Sequence, residues 1–415
     1  MQTLKDILAA GMLAGGKLRV TSLVRSPLML LVLATAAMQL SHQTWFTLLN
    51  NFAVNEVDFT GKEIGILQSI REIPGFLSFA AVFLLLFMRE QTLLLASLLA
   101  LGVGVALTGY FPAALPFYAT TLLMSIGFHY YETAQQSLSL QWFDKKSAPE
   151  KLGTVLAAGS FAALACYLMI YVTWSLLGLS FASVYAIAGL ITLIAVAFCW
   201  LRFPCFEQPV VQNKGFVLRR SYWLYYALTF MAGARRQIFI VFAGFLMVEK
   251  FGYSVTAITT LFLINHLVTM VAAPYIGKLI VAIGERRTLI IEYVGLVGVF
   301  TAYAFTNDPV VAAVLYVVDH AFFAMAIAMK TYFQKIADPK DMAPTAGVAF
   351  TINHIAAVFL PVMLGFIWLQ DPSAVFLIGA GFATISLALS FCVPFAPDRG
   401  REFVWSGPRI PAPAE

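Results

Sequence analysis

The sequence predicts an all-α membrane protein with twelve transmembrane helices, arranged as two pseudo-symmetric six-helix bundles. Three observations carry this. Hydrophobic residues make up 60% of the 415 and charged residues 11%, against about 45–50% and about 25% in a soluble domain. The apolar runs approach the roughly 20 residues a helix needs to cross a hydrocarbon core of about 30 Å. They lack period-2 alternation, so helices rather than a barrel satisfy the backbone in lipid. Lys and Arg then sort onto one side of the resulting topology.

The spans fall at 27–51, 61–88, 91–111, 113–141, 153–177, 180–202, 220–248, 254–283, 288–306, 309–335, 344–369 and 373–395. An even number puts both termini on one side. Of the 26 Lys and Arg residues, 21 lie in loops or near span ends on that side (Lys278 and Lys330 near helix ends rather than in loops), two (Lys62 and Lys250) lie opposite, and three (Arg71, Arg235 and Arg236) lie deep within spans. Basic loops mark the cytoplasmic face. The expectation is an integral protein of the plasma (inner) membrane with both termini cytoplasmic. Residues 1–26 form a cytoplasmic N-terminal segment with an amphipathic stretch, and 27–202 the first bundle. Residues 203–219 form a polar cytoplasmic linker, 220–395 the second bundle, and 396–415 a cytoplasmic tail. The Pro-rich end from Asp398 is expected to be disordered.

The composition excludes a cytosolic enzyme, a secreted disulfide scaffold and a nucleic-acid binder; mean hydropathy is +0.84. Cys166, Cys199, Cys205 and Cys392 form no CxxC pair and read as small hydrophobes. There is no phosphate-binding GxxxxGK[ST], HExxH or GxSxG sequence, so no enzymatic activity and no cofactor are expected.

The halves resemble each other weakly. With Glu56 set against Glu249, His42 falls on Arg235. One inserted residue later, Arg71-Glu72 falls on Asn265-His266, and Lys146 to Pro149 meets Ile336 to Pro339. The shared order points to a duplicated six-helix unit in parallel orientation.

On span number, six-plus-six division and inside termini, the chain resembles the major facilitator superfamily. Its loop signature, G-x-x-x-D-R-x-G-R-R, is partly present after span eight. Gly277, Gly284 and Arg286 match, Val281 and Ala282 fill the Asp and Arg positions, and Glu285 replaces a basic residue. The signature is missing after span two, and the antiporter signature is missing from span five. The resemblance implies a monomeric secondary transporter whose inner gate is latched differently. It also implies that spans one, four, seven and ten line the cavity with help from two, five, eight and eleven, while three, six, nine and twelve support them.

Ionisable and imidazole groups within a span are costly, about 2.5–3.5 kcal/mol for Asp, Lys or Arg at the helix centre, and so mark function or pairing. In chain order they are His42 and Gln43; Arg71 and Glu72; His129 and Glu132; Arg235 and Arg236; Asn265 and His266; Asp319 and His320; and Asn353 and His354. Each lies about 8–13 residues from the nearer span end, about 12–20 Å in. All five histidines are among them. Spans three, five, six and twelve have no ionisable interior group, and span nine has only Glu292 near its inner end.

Helical spacing gathers Thr35, Gln39, His42 and Phe46 into one stripe, and His129, Glu132, Thr133 and Gln136 into another. Tyr225, Thr229 and Arg236 share a face. Arg235 points about 100° away toward a neighbouring helix. Arg71 and Glu72, adjacent and diverging by the same angle, are expected to find partners on other spans.

Two guanidiniums at mid-depth suit a carboxylate or phosphate, or else an internal acid such as Glu72, Asp319 or Glu132. The substrate-contact candidates are Arg235, Arg236, His42, Arg71, His129, His266 and Tyr225. The proton-coupling candidates are Glu132, Asp319, Glu72, His320 and His354, since burial and a nearby Arg pull a carboxyl's affinity for protons in opposite directions. The expected partners are a small-molecule substrate, protons and membrane lipids, with no nucleic acid. Export of amphipathic drugs or lipids, and carriage of a metal ion or anionic metal chelate by the histidines, are the alternative transport readings. A sensor or intramembrane enzyme is the alternative outside transport.

Overall fold

The computed structural model describes residues 25–77, 84, 87–143, 148–207, 218–338 and 341–406. The amphipathic expectation for the N-terminal segment lies outside these residues. Among the described residues twelve helical segments follow one another: α1 Pro27–Asn55, α2 Gly61–Phe76, α3 Glu90–Thr108, α4 Ala114–Trp142, α5 Ala148–Tyr171 and α6 Phe181–Arg202. The second half repeats the count with α7 Arg220–Glu249, α8 Val255–Ile283, α9 Glu285–Phe305, α10 Pro309–Ile336, α11 Met342–Trp368 and α12 Pro372–Ser390. Among the described residues the only β pairing is a single bridge, Asp398 to Arg401.

Eight of these segments are each long and apolar enough to cross a membrane. α1 and α4, outside that eight, carry His42, Gln43, His129 and Glu132. α5 and α6 turn bare hydrocarbon outward: Phe161 is 75% exposed and Leu201 82%. Large apolar patches of this kind mark a lipid-facing or binding surface.

Three segments depart from α geometry. α5 runs on into a π turn at Val172–Leu176, α7 contains one at Ile238–Ala243, and α10 tightens to 3-10 geometry at Ala324–Ala326. In α7 the wide turn begins directly after Arg235-Arg236-Gln237. π turns inside helices concentrate at functional sites.

The chain divides into two compact units. The first comprises 1–46, 77–112 and 119–212; the second comprises 47–76, 113–118 and 213–415. In the first unit, α3 and α4 cross at small residues. A side chain at Gly104 would meet the Met124 backbone at 2.6 Å, and one at Gly127 the Leu101 nitrogen at 2.3 Å. Ser41 and Thr192 share a 2.7 Å hydrogen bond joining α1 to α6.

The second unit holds α7–α12 together with the end of α1, all of α2 and the start of α4. Here α2 crosses α11 on glycine. A Cβ at Gly65 would lie 2.3 Å from the Pro361 carbonyl oxygen, and one at Gly365 would lie 2.5 Å from the Gly61 carbonyl oxygen. Ser69 accepts a hydrogen bond from the Val362 amide at 3.1 Å. The Trp368 indole covers Gly61 and donates to Glu249 at 2.8 Å. Small residues at such a crossing let two backbones touch, the main source of helix association in lipid.

Gly65→Ala is therefore expected to lower stability by about 1–3 kcal/mol, the usual range for overpacking. Gly381→Ala, where nothing stands within 4 Å of the new methyl group, serves as the control. Thermal unfolding of the two purified variants in detergent checks the difference.

Candidate functional site

In the second unit the intramembrane charges sort into two groups. The first lies where α2 meets α11. Arg71 is ion-paired with Glu72, and its Nε donates to Gln68 at 2.7 Å. Glu72 also faces His354, whose Nε2 lies 3.5 Å from Glu72 Oε2. His354 Nδ1 is 2.8 Å from the Phe350 carbonyl oxygen, so donating there leaves Nε2 free to engage the carboxylate. All three side chains are buried.

The Arg71–Glu72 pair corrects the sequence expectation. A 100° divergence of Cβ atoms does not separate two long side chains, because the arginine stem can fold back over its neighbour. Glu72 does reach another span, through His354.

Arg236 extends this group. Its charge acts on both Arg71 and His354, and α7 is brought close by Gly233, where a Cβ would stand 2.9 Å from the Asn353 carbonyl oxygen. Arg236 is half-buried. Its Nε is screened from solvent and has no hydrogen-bond partner among the described residues.

The second group is sealed. Arg235, 3% exposed, points away from Arg236 into the α7–α9–α10 interface. Its Nη2 lies 3.8 Å from Glu292 Oε1, and its guanidinium stacks over the Tyr293 ring at 4.3 Å. Nε donates to the Met231 carbonyl at 3.3 Å. Asp319 is fully buried, with Arg235 and Glu292 as its charged neighbours. Neither Asp319 oxygen, nor Arg235 Nη1, nor Glu292 Oε2 has a hydrogen-bond partner among the described residues.

Arg235 thus finds its acid on span nine. Sequence reasoning had set Glu292 aside as a residue near the end of a support helix. The signal was present: it is the only carboxyl in the interior of any support span, and a buried acid requires a countercharge.

The neighbouring candidates separate. Asp319 turns to Arg235, while His320 sits against Phe239 at 5.2 Å and Tyr316 at 4.9 Å, with Nδ1 3.0 Å from the Tyr316 carbonyl oxygen. Tyr225 is buried and stacked on Phe333 of α10 at 4.2 Å. His266 is half-exposed on α8, next to a buried Asn265.

In the first unit, the α1 and α4 stripes meet. Thr35 and Tyr131 share a 2.8 Å hydrogen bond, and the His42 ring stacks on Phe128 at 4.1 Å. Phe128, missed in the sequence, holds His42 on one side. Gln43 donates to Gln39 at 3.2 Å and accepts from Tyr167 at 3.3 Å. His129 is buried; Glu132 is half-buried, and its charge reaches Tyr131. All four cysteines are free.

The loop-signature residues lie in the last turns of α8 and at the start of α9. Gly277 has open space beside it. Gly284, between α8 and α9, has φ +83°, a left-handed conformation that favours glycine. Glu285, in place of a basic residue, is buried and paired with Lys335 of α10 at 2.6 Å. Arg286 stacks over Phe395 at 4.1 Å. The described part of the tail is ordered, contrary to expectation. Residues 398–406 fold back so that Tyr332 donates to the Glu402 carbonyl and Phe403 packs on Trp223 at 5.9 Å. A cleft of about 430 Å³ lined by Arg220, Trp223, Glu402 and Phe403 opens there and contains none of the candidate residues.

These geometries meet an independent finding. The sequence profile of the Major Facilitator Superfamily matches residues 28–361 and 225–414. The chain belongs to the major facilitator superfamily. A variant of the nucleoside transporter NupG superposes on this major facilitator with a TM-score of 0.72 at 15% identity, over 88% of this chain and 99% of that one. A bacterial homologue of the human lysosomal transporter Spinster superposes in its inward-facing, unoccupied conformation with a TM-score of 0.66 at 13% identity, over 93% and 98%. In its occupied conformation the values are 0.64, 13%, 88% and 95%. At such identities the likeness speaks for the fold. No protein of curated function matches the sequence. Secondary transport of small molecules across a membrane is the general activity that membership supports.

One ion pair ties the residue before α7 to the residue before α11. Arg219 grips Asp341 with both nitrogens of its fork, Nη2 to Oδ1 at 2.9 Å, and Tyr222 donates to the same carboxylate at 3.0 Å. The Arg219 hydrogen bond holds the Asp341 carboxyl below its usual range. A depressed carboxyl contributes stability that is complete above its unfolded value, near 4, and disappears as pH falls through the folded value. The thermal midpoint of the wild type is expected to exceed that of Asp341→Asn by a constant margin at neutral pH. The margin should close in acid, below the ordinary carboxylate range, when both are melted across a pH series.

Proposed function

We propose that the protein moves a small organic anion, or a zwitterion bearing a carboxylate, by alternating access with protons as the coupling ion. The observation that carries the anion is the state of Arg236. It is a half-buried guanidinium with a screened, unpartnered nitrogen, beside a group whose other charges, Arg71 and Glu72, cancel each other. The local excess is one positive charge, and a fork of guanidinium donors is matched by a carboxylate or phosphate. Arg235, committed to Glu292, serves better as scaffold than as a substrate contact.

In this reading Arg236 binds the anionic group and Arg71 supplies a second positive charge. Glu72 and His354 respond to occupancy by exchanging partners. In the first unit, taken by itself, His42 against Phe128 and His129 are candidates for substrate contact, and Glu132 is a second proton-coupling candidate. Gly277, Gly284 and Arg286 belong to the inner gate, latched through aromatic stacking. The sequence duplication supports two six-helix bundles, 27–202 and 220–395, as the moving bodies. The basic-residue asymmetry supports cytoplasmic termini in a plasma (inner) membrane.

The test is reconstitution in liposomes with a panel of labelled monocarboxylates, dicarboxylates, amino acids and phosphate esters, with and without a pH gradient. Uptake of at least one of these is expected to respond to the gradient. Arg236→Ala should lower that uptake by about 10- to 100-fold, the loss of one charge-assisted interaction, while Arg236→Lys retains part of it. A folded Arg236→Ala protein with undiminished uptake would exclude the arginine from the site.

A further inference from the structure

We infer that Glu292 and Asp319 bind one proton between them, opposite Arg235, and that Asp319 carries it at neutral pH. The inference rests on the proton-coupled reading above and goes further, placing the ion at a pair that includes a residue of a support helix.

The argument is a charge count in a closed space. Arg235 is 3% exposed, Glu292 3% and Asp319 0%. One cation faces two carboxyls, so full ionisation would leave a net negative charge in a place closed to solvent and, among the described residues, without another countercharge. Such a charge is expelled by taking up a proton.

Among the described residues, the groups around the pair supply no other cation. Arg235 comes from α7, Tyr293 and Tyr303 from α9, and Tyr316 from α10. The Tyr303 hydroxyl is already donated to the Ala312 carbonyl at 2.9 Å. α12, packed along α9, carries no titratable residue between Pro372 and Ser390. His320 faces the Tyr316 carbonyl and Phe239. His266 is half-exposed on α8, one turn beyond Phe262, which stacks on Tyr316.

Geometry decides which acid holds the proton. Glu292 faces the guanidinium at 3.8 Å, whereas both oxygens of Asp319 lack a hydrogen-bond partner among the described residues. The neutral form is the cheaper one to leave unpartnered. Loading forms one O–H bond on Asp319 with a proton from hydronium and returns a water molecule. Release reverses this when the interface between α7, α9 and α10 admits water. The adjacent Arg236 on the same helix gives the site a mechanical route to substrate.

The test uses the full chain in nanodiscs, with the proton itself as ligand and infrared difference spectra as readout. The wild type is expected to show the carbonyl stretch of a buried protonated carboxyl at neutral pH. Asp319→Asn should remove it. So should Glu292→Gln, because Asp319 then ionises against Arg235. Arg235→Gln should instead add a second such band.

Absence of the band from the wild type, or its survival in both Asp319→Asn and Glu292→Gln, overturns the inference. In liposomes, with a pool of short carboxylates and amino acids as probe, Asp319→Asn should lower gradient-driven accumulation by about tenfold or more while sparing exchange at equal pH. Gradient-driven accumulation that survives Asp319→Asn removes this pair from the coupling path and leaves the transport reading standing. A wild type without any gradient response defeats proton coupling itself, and the infrared band then judges the proton site alone.

Discussion

A membrane interior tolerates an ionised side chain only when a countercharge or water accompanies it. That constraint organises everything at mid-depth in this protein. Arg71 satisfies it with Glu72, and Arg235 with Glu292. Arg236 satisfies it by staying partly exposed. The two adjacent arginines carry the same charge in different settings: one is locked into protein, the other stands beside a pair whose charges already cancel. The turn of the helix between them makes the distinction, since successive residues point about 100° apart.

The close approach of α2 and α11 answers the same constraint in another way. Lipid offers no hydrophobic drive to hold helices together, so contact must come from backbone packing. Gly61, Gly65 and Gly365 remove the side chains that would keep the two helices apart. The ion-paired Arg71–Glu72 follows on α2 directly after this crossing. Tight backbone contact and low water access are what make a buried pair with a histidine neighbour sensitive to a change in packing.

Much of this was legible in the sequence, because hydrophobic length and basic-residue placement are properties of single segments. The helical segments of the described residues fall where the apolar runs put them, span two being described as far as Phe76, and family membership agrees with the fold. Arg235 turning away from Arg236 followed from helical geometry alone. What failed depended on side-chain reach or on partners distant in sequence. Arg71 and Glu72 pair because a long stem bends. Glu292 matters because α9 faces α7, which no periodicity within α9 reveals. The order of residues 398–406 comes from docking on Trp223 and Tyr332, and a Pro-rich composition does not announce a docking partner. The π turns left no sequence mark that propensity could read.

The wide turn at Ile238–Ala243 has a consequence for how α7 stores its register. A π turn accommodates one residue more than the α ladder around it, so its carbonyls have alternative partners one position away. Sliding that surplus along the helix would swivel the intervening stretch by about one residue's angle without lengthening or breaking the rod. Because the bulge abuts the arginine pair, α7 is built less like a strut than like a key with a fixed shaft and a bit that can turn.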